Sequence, residues 1–176
     1  VINFLPSSGP NFGAAITKSP HLTGVNFTGS VPTFENLWKQ VGDNISKYNT
    51  FPRLIGECGG KNYHFVHPTG NIQNAVYGTI RAAFEYSGQK CSACARLYVP
   101  ESKWPEIKKG MLDVTKQLKL GSPLEADTFL TACIDAKAFK RIKCYLDLAK
   151  SSPNLTVLAG GNCDDSVGYY VEPTIV

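Results

Sequence analysis

Short segments in which apolar and polar residues alternate are separated by longer segments with helical spacing. Residues 1–5 (VINFL) and 24–29 (GVNFTG) alternate in this way, which predicts two strands. Between residues 34 and 48 the apolar side chains recur every three or four positions, which predicts an amphipathic helix. Ser30 is a suitable N-cap for this helix, and Pro32 lies in its first turn, where proline is tolerated.

The rest of the chain continues this alternation. Apolar runs predict further strands at 54–55, 63–67, 96–99, 155–161 and 169–176. Helical spacing predicts a short helix within 7–19 and longer helices at 71–87, 102–118 and 134–150. Because strands and helices alternate throughout, the predicted fold class is α/β, with helices layered on sheets whose strands pair in parallel.

A glycine-rich segment interrupts this pattern between the second and third predicted strands. Gly56, Gly59 and Gly60 can adopt backbone angles that other residues avoid, which predicts a turn around Glu57. We therefore place a boundary between two structural parts here, with residues 1–56 in the first part and residues 57–176 in the second.

Composition and charge exclude several classes of protein. The chain has 176 residues, of which 43% are hydrophobic and 18% charged, as in globular domains. It contains no apolar run long enough to cross a membrane, so no membrane partner is expected. The net charge is +4 with scattered lysines, and the densest basic cluster lies on a predicted helix, where it is interpreted as a solvated face, so no nucleic-acid partner is expected. This cluster consists of Lys137, Lys140, Arg141 and Lys143. The valine start and the unterminated last strand suggest part of a longer protein.

Cys91 and Cys94 raise three possibilities for the segment 87–99 (SGQKCSACARLYV). A zinc site needs four ligands, but there is no second C-x-x-C, and His64 and His67 lie three apart on a predicted strand and so point to opposite faces. A redox pair of the thioredoxin type opens a helix, whereas this pair follows one. A nucleophilic cysteine needs a nearby base and an oxyanion donor. The residues alone do not decide between a nucleophile and an inert buried cysteine.

Three segments, in this order, resemble the aldehyde dehydrogenase superfamily: FTGS at 27–30, ECGGKN at 57–62 and GQKCSA at 88–93. Longer stretches around them, and the final segment VLAGGNCDDSVGYYVEPTIV, are similar to the branch of that family that acts on 1-pyrroline-5-carboxylate. The resemblance implies the second part of a Rossmann-type NAD-binding domain over residues 1–56, followed by most of the α/β catalytic domain over 57–176.

The resemblance also assigns roles to individual residues. Cys91 matches the catalytic nucleophile, Glu57 matches the general base, and Ser92 matches a residue near the carboxylate end of the substrate. The segment that contacts NAD is matched by five consecutive residues: Gly29, Ser30, Val31, Pro32 and Thr33. The remaining five cysteines are interpreted as structural or incidental free thiols, and no metal site is expected.

The activity implied by the resemblance is NAD-dependent oxidation of L-glutamate γ-semialdehyde to L-glutamate in proline catabolism, through a cysteine thiohemiacetal and thioester. The implied location is the mitochondrial matrix, the substrate is a small aldehyde, and the full-length protein is expected to be a homo-oligomer. We expect the 176-residue chain to be inactive on its own. The alternatives are an aldehyde dehydrogenase with another substrate and a non-enzymatic C-x-x-C metal-binding module.

Overall fold

Strands and helices alternate along the chain in a computed structural model that describes residues 2–176. Over these residues the α-helices are α1 Gly9–Ile16, α2 Val31–Asp43, α3 Ile72–Phe84, α4 Trp104–Thr115 and α5 Ala136–Ser151. The strands are β1 Gly24–Gly29, β2 Arg53–Cys58, β3 Tyr63–Phe65, β4 Arg96–Tyr98, β5 Cys163–Asp164 and β6 Tyr170–Val171. Short 3₁₀ helices occupy Ile45–Lys47 and Glu101–Lys103, whereas Glu85–Gly88 is a turn with non-helical backbone angles. The mixture of helix and sheet confirms the α/β class.

The chain divides into two compact units, residues 1–60 and residues 61–176. The sequence placed the boundary after Gly56, and the units of the structure divide after Gly60. The interpretation of the two parts as pieces of an NAD-binding and a catalytic domain remains a prediction.

The first unit is a β-α-β arrangement. β1 and β2 pair in parallel, from Gly24 opposite Arg53 to Gly29 opposite Cys58, and α2 connects them. Parallel neighbours require such a crossover connection, because the chain must return to the same end of the sheet. Leu37 and Val41 provide the buried face of α2. The predicted parallel pairing is therefore confirmed here.

The core of the second unit lies between α3 and α4. It consists of a cluster of buried apolar residues: Val66, Ala75, Val76, Ile80, Ile107 and Met111. A Cβ atom on Gly110 of α4 would come within 2.9 Å of the Val76 side chain, so the missing side chain lets the two helices approach closely. β3 and β4 pair in parallel beside this core, whereas β5 and β6 pair antiparallel.

Several predicted boundaries were wrong. Residues 2–5 form no strand, although their apolar and polar side chains alternate. A strand needs a neighbour for its backbone hydrogen bonds, and no described segment pairs with these residues. Val1 lies outside the described residues. The segment 155–161 contributes only a bridge between Ala159 and Ile175. The 34–48 helix ends at Asp43, where the Asn44 side chain donates to the Gln40 carbonyl oxygen at 2.8 Å.

The role predicted for the glycines near Glu57 was also wrong. Glu57 lies in strand β2 rather than in a turn. Positive φ angles among the described glycines occur only at Gly88, Gly160 and Gly161. Gly56 instead lies directly under the Phe34 ring of α2, so that a side chain at this position would collide with the ring. The glycine is needed for close packing between the helix and the strand rather than for an unusual backbone angle.

Candidate active site

The predicted cofactor segment lies where β1 passes into α2. Gly29 ends the strand, Ser30 is the N-cap, and Pro32 and Thr33 lie in the exposed first turn. The Ser30 hydroxyl accepts from the Thr33 backbone N–H at 3.4 Å and lies 2.7 Å from the Thr33 hydroxyl. The predicted cap is confirmed.

The donors of this helix start are suited to an anion. Val31 N–H opens the helix and has no intrahelical acceptor, while Pro32 has no N–H and Thr33 N–H is taken by Ser30. The donors that remain are therefore the Val31 backbone N–H and one hydroxyl hydrogen, because the Ser30 and Thr33 hydroxyls lie 2.7 Å apart and one donates to the other. These groups, with the positive end of the helix dipole, fit the phosphate oxygens of a dinucleotide.

Glu57 lies on the strand next to the cofactor segment. In the parallel register, Glu57 is opposite Thr28 and Cys58 is opposite Gly29. The carboxyl ends of parallel strands are where ligands bind in open α/β sheets. Glu57 is exposed, and no hydrogen bond or ion pair of its carboxylate occurs within residues 2–176.

The nucleophile segment, residues 85–96, begins with a sharp change of chain direction after α3. Tyr86 and Ser87 both have φ of 56°, and Gly88 has φ of 68°. Two consecutive non-glycine residues in the left-handed region are uncommon and need support from the surrounding structure. The helix predicted to reach Ser87 therefore ends at Phe84. Cys91 follows in an exposed turn.

Two side chains connect the nucleophile segment to residues 131–134. The Ser87 hydroxyl donates to the Thr131 carbonyl oxygen at 2.9 Å and accepts from the Thr131 N–H at 3.1 Å. The Gln89 side-chain oxygen accepts from the Ile134 N–H at 3.0 Å. These contacts join positions 44 and 45 residues apart and support the strained backbone.

Asn62 holds the other side of the segment. Its Nδ2 donates to the Cys91 carbonyl oxygen at 2.6 Å and to the Ala93 carbonyl oxygen at 3.4 Å. Its own carbonyl oxygen accepts from the N–H groups of Ala95 and Arg96 at 2.9 and 3.2 Å. Asn62 is the last residue of the ECGGKN motif, but nothing in the local sequence signals contacts with residues 29 or more positions away.

Charge near Cys91 comes from an exposed ion pair. Lys90 Nζ lies 3.1 Å from a Glu85 carboxylate oxygen, and Arg81 lies 3.7 Å from the other oxygen. The hydrogen bond and positive charge of Lys90, aided by Arg81, lower the pKa of the Glu85 carboxyl. Glu85 therefore neutralises part of the positive charge of Lys90, the residue that precedes Cys91.

The six cysteines differ in exposure. Cys91 and Cys144 are exposed, Cys133 is buried, and Cys58, Cys94 and Cys163 are half-buried, all as free thiols. Burial, followed by the negative charges of Asp135 and Cys163, raises the pKa of the Cys133 thiol. The Cys94 Sγ is within hydrogen-bond distance, 3.2 Å, of the Arg96 carbonyl oxygen. Among the described residues, no group of three or more His, Cys, Asp or Glu is placed to hold a metal ion.

The structure therefore places the predicted site residues in two groups. Cys91 and Ser92 are adjacent, exposed residues of the second unit. Glu57 and the segment Gly29–Thr33 lie on neighbouring strand ends of the first unit. Over residues 2–176, no helix combines the length and apolarity needed to cross a bilayer.

Sequence and structure comparisons identify the family. The pattern described as the Aldehyde dehydrogenase family matches residues 1–176. The chain belongs to the aldehyde dehydrogenase family. It is 60% identical over its whole length to proteins named "Delta-1-pyrroline-5-carboxylate dehydrogenase, mitochondrial" from Danio rerio and from Homo sapiens. It spans 32% and 31% of the length of these two relatives, about a third of each.

Solved structures share the fold. The Delta-pyrroline-5-carboxylate dehydrogenase from Mycobacterium tuberculosis bound with NAD is 37% identical, superposes with a TM-score of 0.91, and matches 96% of this chain and 31% of its own. A 1-pyrroline-5-carboxylate dehydrogenase from Thermus, also with bound NAD, is 28% identical with a TM-score of 0.90 over 99% of this chain and 33% of its own. These likenesses confirm the aldehyde-dehydrogenase-like fold.

Proposed function

We propose that the protein containing this chain oxidises L-glutamate γ-semialdehyde, formed from 1-pyrroline-5-carboxylate, to L-glutamate with NAD. The observation that carries this proposal is the 60% identity, over the whole chain, to relatives named for that activity. The exposed thiol of Cys91 in a braced turn is the feature of the site that suits covalent chemistry. The alternative of a C-x-x-C metal module has no third ligand to support it within the described residues.

In the proposed mechanism, Cys91 is the nucleophile. Its thiolate attacks the aldehyde carbon, and the carbonyl oxygen becomes an oxyanion, for which the Cys91 backbone N–H is the donor that this chain provides. Bound NAD would supply the hydride acceptor, and loss of hydride from this carbon would leave the acyl group on Cys91 as a thioester. Glu57 then removes a proton from a water molecule, and this water attacks the thioester and releases glutamate and the thiol.

The cofactor proposal rests on the start of α2. The Val31 N–H and the one free hydroxyl hydrogen of the Ser30–Thr33 pair would be donated to phosphate oxygens of NAD. Gly29 and Pro32 complete the proposed cofactor segment: a side chain at Gly29 would collide with the Phe27 ring, and Pro32 lies in the first turn of the helix. Ser92, exposed beside Cys91, would lie near the carboxylate end of the substrate.

The relatives also bear on location. Names that include "mitochondrial" support a mitochondrial location for the protein, and the matrix is the compartment we propose within the mitochondrion. We also propose a homo-oligomer for the full-length protein. The substrate is a small aldehyde, with no nucleic-acid or membrane partner.

The test is NADH formation by the purified full-length protein with NAD and L-glutamate γ-semialdehyde, beside a panel of unrelated aldehydes. We expect turnover with the semialdehyde and none in a Cys91→Ala variant. Preference for another aldehyde would overturn the substrate, and undiminished turnover by Cys91→Ala would overturn the mechanism. The 176-residue chain alone should give no NADH.

A further inference from the structure

We propose that Asn62 is a positioning residue for the nucleophile, acting through its side-chain amide on the main chain at Cys91 and Ala93. This inference rests on the proposed role of Cys91. Asn62 lies just before β3, and its half-buried side chain reaches the turn that carries the thiol.

The contacts define the orientation of the turn. A 2.6 Å hydrogen bond to the Cys91 carbonyl oxygen fixes the plane of the peptide that joins Cys91 to Ser92. The longer bond to Ala93, at 3.4 Å, adds a second point of attachment two residues on. Because both bonds come from one amide nitrogen, rotation of the turn about either point would break the other bond.

The main chain of Asn62 strengthens this arrangement. Its carbonyl oxygen accepts from Ala95 and Arg96, so the residue contacts the chain on both sides of Cys94. The Cys94 N–H in turn donates to Ala82 of α3 at 2.9 Å. The turn after Cys91 is therefore fixed to the residue that precedes β3 and to helix α3, while the thiol itself stays exposed.

The donors of Asn62 are used within the protein. Since Nδ2 already contacts two carbonyl oxygens, the amide serves the main chain rather than a substrate oxygen. The effect of Asn62 on the reaction is thus exerted through the placement of Cys91, where small displacements have large effects on rate.

Asn62→Asp tests this role with little change of shape. The carboxylate has the size of the amide, but when ionised it has no donor and faces two carbonyl oxygens. Asn62→Gln keeps the donors on a stem that is one methylene longer. Asn154→Ala is the control, because this exposed asparagine makes no side-chain hydrogen bond within residues 2–176.

The measurement is the rate at which the full-length enzyme forms NADH in its first turnover. The KM for NAD and the alkylation of buried Cys133 are recorded alongside. We expect the first-turnover rate of Asn62→Asp to fall between about tenfold and about 100-fold. The KM for NAD should stay unchanged, Cys133 should stay protected, and Asn62→Gln should recover part of the rate. Asn154→Ala should behave as the unsubstituted enzyme.

Two results would overturn the inference. One is a first-turnover rate in Asn62→Asp equal to that of the unsubstituted enzyme. The other is an equal loss in Asn62→Asp and Asn62→Gln together with alkylation of Cys133, since Asn62 would then only support the fold. The Cys91→Ala variant separates this test from the proposed function. If Cys91→Ala keeps full turnover, the assignment of Cys91 as the nucleophile fails, whatever the Asn62 variants do. If Cys91→Ala is inactive and the Asn62 variants are normal, only the inference about Asn62 is contradicted.

Discussion

The cofactor segment, Gly29–Thr33, and the nucleophile segment, residues 85–96, are built in different ways. The cofactor segment is held by contacts between residues three apart, such as the Ser30 cap on Thr33. The nucleophile segment is held by contacts with Asn62, Thr131 and Ile134, which lie 29 to 45 residues away. A cap satisfies a few local donors, whereas a chain with positive φ at non-glycine residues needs support from the tertiary structure.

This difference leads to an expectation about variants. Changes in the cofactor segment should alter binding of NAD and local helix stability. Changes in the supports of the nucleophile segment should alter chemistry and the stability of the second unit.

Glu57→Gln should have the largest effect, because it removes the base without changing the strand. Steady-state turnover should fall by about 10²- to 10⁴-fold, while NADH formation in the first turnover stays fast, since water activation follows acyl transfer to Cys91. Rapid-mixing absorbance at the NADH band distinguishes the two phases. Normal steady-state turnover in this variant would remove Glu57 from the mechanism.

Ser87→Ala should weaken a support of the nucleophile segment. The Thr131 N–H and carbonyl oxygen would both lose their hydroxyl partner. We expect a loss of about 1 to 3 kcal/mol in the free energy of unfolding, from denaturant titration. The first-turnover rate should fall while the KM for NAD is retained. An effect on the KM for NAD alone would contradict the division between the two segments.

Ser30→Ala should act locally on the cofactor segment. Loss of the cap should cost about 1 kcal/mol of stability, and the KM for NAD should rise because the Ser30–Thr33 hydroxyl pair at the helix start is broken. Ser30→Thr is the matched control, since it keeps the hydroxyl. If the first-turnover rate at saturating NAD falls in Ser30→Ala, the cofactor segment also takes part in chemistry, which would contradict the division between the two segments.

The Glu85 ion pair should have the smallest effect. The pKa of its carboxyl is lowered by Lys90, so its contribution to stability is present above the ordinary glutamate pKa and is lost as pH falls through the lowered value. Because the pair is exposed, salt should weaken this contribution. Thermal unfolding of Glu85→Gln and the unsubstituted protein should differ slightly near neutral pH and converge in acid. A difference in thermal stability that grows in acid would contradict this pH dependence.

The elements that were predictable from sequence are those with local signals. The cap at Ser30, the strand Gly24–Gly29 and the helix after Asn71 all follow from neighbouring residues. The exposure of Trp38, at 57%, was not predictable, because its helical spacing is that of the buried face of α2. The Trp38 ring instead packs edge to face against the Phe34 ring, with 5.6 Å between the ring centroids.

The same limit applies to the site. The motif around Cys91 could be matched to a family, but the hydrogen bonds that brace it depend on residues brought near by folding. The reciprocal pair of Ser87 with Thr131 and the amide of Asn62 have no signature in the segments where they occur. Periodicity indicates which face of an element is buried, and it carries no information about a side chain that reaches a distant main-chain group.

The most direct test of Cys91 as the nucleophile is competitive alkylation of the full-length protein by a limiting amount of iodoacetamide. Peptide mapping and an activity assay follow. Exposure alone would favour Cys91 and Cys144 equally, and burial should protect Cys133, whose pKa is raised. The account predicts that Cys91 is labelled ahead of the other five cysteines and that NADH-forming activity falls in proportion to its labelling. Labelling of Cys144, Cys94 or Cys58 first, or full activity with Cys91 fully alkylated, would contradict it.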